Sequence, residues 1–183
     1  MADAFGTIHH DQIDGVDAYW LDVPGPFSAA LTFRVGRADE PPARYGITHL
    51  VEHLALAPLG VQEYEHNGGV ETLRTIFQVT GSRADVTTFL ADATHALSAL
   101  PTSRLLIERS ILKREAGENS RGLGDALRGY RFGGVGAGAT AEEEFGILWL
   151  GEELVRAWGR ALRPIQRGAR AQRAAGRHPP QPA

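Results

Sequence analysis

Gly46-Ile47-Thr48-His49-Leu50-Val51-Glu52-His53-Leu54-Ala55-Leu56 is the stretch on which the reading of this chain turns. Ile47, Leu50, Val51 and Leu54 recur at helical spacing, so residues 46–56 are expected to form a helix with an apolar face. Thr48 is the candidate cap, with Ile47 a candidate member of the first turn. His49 and His53 stand four apart, which on a helix sets two imidazoles on one face about a turn apart, within reach of a single metal ion. Glu52, three residues after His49, shares that side. A carboxylate and two imidazoles on an otherwise apolar helix lose solvation on burial unless a charge compensates them, and a zinc ion does. With seven histidines in 183 residues, this spacing is expected by chance roughly 0.02 times. The alternative reading is a pair of solvated surface histidines.

A hydrolytic zinc site has three protein ligands and leaves a position for water, whereas a structural site closes with four. The third ligand should be His, Asp or Glu. A helix expected over 103–118 carries Glu108 and Glu115, seven apart and therefore on one face. Spacing alone prefers neither.

GITHLVEHLAL resembles the inverted zinc motif, His-x-x-Glu-His, of the pitrilysin/insulinase metallopeptidases, the inverzincins. Glu108-Arg109-Ser110-Ile111-Leu112-Lys113-Arg114-Glu115 is similar to that family's downstream helix, in which two glutamates are separated by six residues. The likeness covers about residues 7–160, because the preceding strands, Gly68-Gly69-Val70, the strand after it and the next helix follow the family's order. The resemblance implies that His49, His53 and Glu115 hold zinc. It implies that Glu52 takes a proton from the zinc-activated water and passes it to the leaving amine. Glu108 then orients a ligand through a hydrogen bond, the alternative being plain solvated helix charge. A strand at Val70–Thr80 would be the edge to which a peptide substrate adds, the alternative being an ordinary sheet strand. The implied activity is a zinc-dependent endopeptidase acting on peptides or unfolded segments. Because the family's enzymes combine two homologous domains, a second homologous subunit or self-association is implied as well.

Around the motif the chain reads as strand and helix in turn. Thr7–Ile13 and Val16–Val23 flank Asp14-Gly15, a hairpin turn pair, and Ser28–Gly36 alternates as a third strand. Arg37–Tyr45 is a polar loop, and another loop runs from Pro58 through Asn67-Gly68-Gly69. Asp85 is the expected N-cap of a helix Val86–Leu100. The helix over 103–118 is expected to bury Leu105, Leu106, Ile107, Ile111 and Leu112. A short helix at Asp125–Tyr130, a glycine-rich connector Gly133–Gly138 and a helix Glu152–Leu162 complete the order. This is α+β, a largely antiparallel sheet with helices packed on one face.

The composition, 43% hydrophobic and 22% charged, is globular. No apolar run approaches the roughly 18 residues of a membrane span. The first ten residues do not read as a signal peptide, so a cytoplasmic protein is expected. The absence of cysteine excludes disulfides, thiolate zinc ligands and thiol nucleophiles. Arg156, Arg160, Arg163, Arg167, Arg170, Arg173 and Arg177 all lie after the last acid, Glu153. Residues 163–183 therefore read as a basic, disordered Pro/Arg/Ala tail, without the aromatics that would stack bases. Residues 1–162 read as a metallopeptidase-like domain whose last strand is replaced by that tail. A non-catalytic assembly subunit and an inactive truncated fragment are therefore rival readings, and the intact Glu52 argues against the first. His9, His10, His66 and His95 lack metal-like spacing, and Trp20, Trp149 and Trp158 read as packing residues. Gly134–Ala139 meets a relaxed dinucleotide pattern without the strand that such a site requires.

Overall fold

Ile8–Ile13 (β1) and Val16–Leu21 (β2) pair antiparallel around the expected Asp14-Gly15 turn, from Ile8 opposite Leu21 to Ile13 opposite Val16. The structure is a computed structural model and describes residues 7–118, 122–142 and 146–162. The chain divides at Gly25-Pro26 into two compact units. The hairpin belongs to the first, and all other described elements belong to the second. The expected tail at 163–183 lies outside the described residues.

In the second unit, Phe27–Phe33 (β3), Glu65–Val70 (β4) and Thr75–Gly81 (β5) form an antiparallel sheet in the order β3-β5-β4. The single strand expected at Val70–Thr80 is thus two strands, and part of the expected loop before it is β4. The break has a local cause. Arg74 bonds the Glu71 carboxylate at 2.7 Å, Glu71 N–H donates to the Arg74 carbonyl, and the Glu71 and Thr72 carbonyls accept from Arg37 and Ala38. These bonds close residues 71–74 into a turn despite the strand-like composition of VETLRT.

Ile47–Leu56 (α1) has the expected extent, with Ile47, Leu50, Val51 and Leu54 fully buried. Its start is not capped by the Thr48 side chain. Gly46 precedes it in the left-handed region at φ 90, where a side chain would be strained. The Glu40 carboxylate accepts from the N–H groups of Gly46 and Thr48 at 2.8 Å each. The Thr48 hydroxyl instead accepts from the Trp158 indole at 3.0 Å, so that tryptophan does more than pack. Trp149, by contrast, is largely exposed.

Arg83–Ser98 (α2) is capped by Ser82 rather than Asp85. Asp85 occupies the third helical position and returns a bond to the Ser82 N–H, a capping box. Leu105–Glu118 (α3) starts after a 3-10 turn at Thr102–Arg104 and buries only part of the face expected. Leu105 and Leu112 are inside, while Leu106 and Ile107 face solvent. The inward stripe is Leu105, Glu108, Leu112 and Glu115, at the three-and-four spacing of one helix face. Leu123–Phe132 (α4) and Glu152–Gly159 (α5) follow, joined through 3-10 turns at Gly136–Glu142 and Ile147–Trp149. The glycine-rich connector is anchored where the Tyr45 hydroxyl donates to the Gly134 carbonyl.

One core joins these parts. Phe33, Phe77 and Val79 from the inner sheet face meet α1, Val86, Phe89, Ala93 and Leu97 of α2, Leu105 and Leu112 of α3, and Val155 of α5. The helices thus cover one face of the three-stranded sheet, as expected for α+β.

Candidate metal centre

Two helices distant in sequence bring the expected ligands together. α1 presents His49 and His53 one turn apart, their rings 4.8 Å between centroids and nearly perpendicular. α3 brings Glu115 opposite them, with Glu115 Oε2 3.8 Å from His49 Nε2 and 3.5 Å from His53 Nε2. All three ligand atoms lie within 4.8 Å of one another. Tetrahedral bonds of about 2.05 Å would set ligand atoms about 3.3 Å apart, so the histidine–glutamate separations are within a few tenths of an ångström of one shared ion. The donors, two imidazoles and a carboxylate, are a set that suits zinc.

Spacing left Glu108 and Glu115 equivalent; the structure separates them. Glu108 lies two turns earlier on α3, buried, with Oε2 3.5 Å from His53 Nδ1. Its other oxygen accepts from Arg104 Nε and Nη2 at 3.0 and 2.9 Å. A carboxylate beside Nδ1 favours the tautomer with its proton there, which leaves Nε2 as the lone-pair donor.

Glu52 is also buried. Its Oε2 stands 3.8 Å from His49 Nε2 and 3.9 Å from His53 Nε2, beside the ligand atoms. Burial pushes its carboxyl above the usual carboxylate range; the two imidazoles oppose that shift, and the charges of Glu115 and Glu108 add to it. Strand β4 crosses directly over this group. A Cβ added at Gly68 would fall 2.0 Å from Glu52 Oε1, so glycine is what lets strand and carboxylate approach. Gly68, in a stretch read from sequence as loop, is the close approach of an edge strand to the site.

The expected peptide-binding strand, Val70–Thr80, does not lie along an edge of the sheet through most of its length. β5 is the central strand, bonded on both sides, so it has no free edge to offer. The free edge beside Glu52 belongs to β4. The histidines set aside from sequence are not drawn into this centre: among the described residues, the metal-like group is His49, His53 and Glu115.

No family profile and no curated protein sequence matches this chain. Solved structures do, and among them are three proteases. A protease from Helicobacter pylori superposes with a TM-score of 0.63 at 13% identity, over 87% of this chain and 44% of that one. The ferredoxin protease FusC, in complex with Arabidopsis ferredoxin, gives 0.65 at 16% identity, over 85% of this chain and 20% of that one. Pitrilysin gives 0.52 at 21% identity, over 69% and 15%. The class these define is a fold that proteases carry. This chain spans less than half the length of each of the three. Among the described residues no helix is long and apolar enough to cross a membrane.

Proposed function

We propose that this chain is the metal-bearing domain of a zinc-dependent endopeptidase of the pitrilysin/insulinase type. The observation that carries the reading is the convergence of His49, His53 and Glu115 beside a buried Glu52 that lies outside the ligand trio, where it can act as a base. Zinc held by those three residues would polarise a peptide carbonyl and lower the pKa of a bound water.

The chain's own residues supply the rest. Glu108, fixed by Arg104, orients His53 through Nδ1. Glu52 Oε2 accepts the proton of the attacking water and delivers it to the leaving amine. An extended peptide or unfolded segment joins the free edge of β4, whose Gly68 backbone passes over the Glu52 carboxylate. The lengths of the structural neighbours support a second homologous subunit, or self-association, as the partner that completes the enzyme.

The test is Glu52→Gln with zinc content and peptide cleavage measured together. Zinc should stay near one per chain while cleavage falls about 10²–10⁴-fold, the usual worth of a positioned acid–base group. Unchanged cleavage would remove Glu52 from the mechanism.

A further inference from the structure

The sheet face turned away from the helices carries an open depression of mixed polar and apolar lining, and the site does not use it. A concavity of about 420 Å³ is lined there by Ser28, Ala30, Glu65, Asn67, Gln78 and Thr80, together with Ala29, His66 and Val79. That volume is in the range of ligand sites. The register explains its chemistry. Glu65, Thr80 and Ser28 form one row across β4, β5 and β3, with the two hydroxyls bonded at 2.9 Å. Asn67, Gln78 and Ala30 form the next row. Small side chains on β3 leave the hollow, amides and hydroxyls floor it, and Glu65 gives its rim a formal negative charge. Among the described lining residues there is no Lys or Arg.

Strand alternation ties this hollow to the metal centre. On β4, Gly68 turns inward over Glu52, whereas Glu65 and Asn67 point to the outer face. A peptide paired antiparallel to β4 would place the residue opposite Gly68 over the centre. The residues one and three places C-terminal to it, opposite Asn67 and Glu65, would then turn into the hollow. A strand spacing of about 4.8 Å lets a Lys or Arg side chain lie across Asn67 towards Gln78 with its charge near Glu65.

We propose that the outer face at Glu65, Asn67 and Gln78 is a specificity site for a cationic side chain of the bound peptide. It rests on the reading of β4 as the strand a peptide joins.

The experiment uses the full zinc-loaded chain carrying Glu52→Gln, to stop cleavage, and two fluorescent extended peptides that differ by Lys or Glu at one position. Titration should show the Lys peptide binding about 10-fold tighter, with the margin shrinking as salt rises. Adding Glu65→Gln should erase the margin and Glu65→Lys reverse it. Glu153→Lys, the same charge change on exposed α5, should leave it largely intact. Equal binding of the two peptides, no binding of either, or an equal effect of Glu153→Lys would each overturn the proposal. The peptidase reading fails separately: wild-type protein that binds the Lys peptide tightly yet never cleaves it, alone or joined by a second homologous subunit, refutes the activity and leaves the site standing.

Discussion

Two regions of this molecule pair histidines with carboxylates, and only one of them builds a centre. On α1, His49 and His53 are four apart, so the helix stacks them on one face, where Glu52, Glu108 and Glu115 gather within 4 Å. On β1, His9 and His10 are adjacent, and a strand throws adjacent side chains to opposite faces. His9 stacks on Trp20 near Asp22, and His10 stacks on Tyr19 and meets Asp17. Each strand histidine therefore finds one cross-strand aromatic and one carboxylate, and neither finds the other. Exposure differs in the same sense: the α1 side chains are 20% and 17% accessible, the hairpin ones 43% and 51%. Histidines and acids are common; a period that converges them in a partly dry place is what makes a candidate metal site.

The largest expected effect breaks the α1 side of this comparison. His53→Ala removes one of three ligands and should reduce zinc from about one per chain to near zero by elemental analysis. His9→Ala and His10→Ala should leave the zinc content unchanged. Metal lost equally from the hairpin variants would mean that the sequence period does not decide the site.

Next in size is Glu40→Ala, which acts on the backbone that aims α1. Removing the carboxylate leaves the buried N–H groups of Gly46 and Thr48 without acceptors, at about 1–3 kcal/mol each. A loss of about 2–4 kcal/mol in denaturant unfolding is expected. The pH dependence has a definite sign. Burial raises the Glu40 carboxyl above the usual carboxylate range, against its bonds to Thr48 and Gly46. The folded state thus holds the proton more tightly than the unfolded one. The contribution of this group is most favourable at low pH and declines as pH rises from the usual carboxylate value through the raised one. Glu40→Ala should flatten that limb of the stability–pH curve, and a curve unchanged in shape would refute the assignment.

Glu108→Gln is smaller. It keeps the size of the group but removes the charge beside His53 Nδ1 and opposite Arg104. Zinc affinity should fall about 10–100-fold by competition with a chelator, while Glu115→Gln, acting on a ligand, should cost more. Equal losses would make Glu108 a ligand rather than a group that orients one.

The difference between the regions also explains what could be read in advance. The α1 stretch was legible because one period set both its apolar side and its ligand spacing, and the fold class followed from the order of such stretches. What stayed hidden depended on contacts distant in sequence. Glu40 looks like loop charge until the 3-10 turns at Arg37–Asp39 and Pro42–Arg44 bring it to the start of α1. Glu108 and Glu115 were equivalent until α3 was tilted against α1. Its buried face departs from the apolar pattern because Leu106 and Ile107 lie outside while Glu108 lies inside. Gly68-Gly69 carries the composition of a loop, yet Gly68 sits in β4 because the Glu52 carboxylate occupies the place of its Cβ. A pair of glycines followed by strand-forming residues, shortly after the helix of the metal motif, was the available signal. The turn at 71–74 rests on Arg74–Glu71 and the Arg37 and Ala38 amides, which no local pattern announces.

The smallest expected effect tests the hairpin from its own side. The Asp17 carboxylate faces His10 Nε2 at 3.0 Å and accepts from Gln12 Nε2 at 3.2 Å. The bonds from His10 first, then Gln12, hold its carboxyl below the usual carboxylate range. A depressed carboxylate contributes its stability above the usual value and loses it as pH falls. Here the group lies in open solvent, so water screens the pair and little stability is at stake. Asp17→Asn should therefore leave the melting midpoint and the zinc content where they were near neutral pH. The pair should show itself only locally: in a carbon-detected NMR titration, His10→Ala should move the Asp17 midpoint back towards the ordinary value, and Gln12→Ala should move it less. If either hairpin substitution shifted zinc content instead, His10 would belong with His49 and His53, and the contrast between strand and helix histidines would collapse.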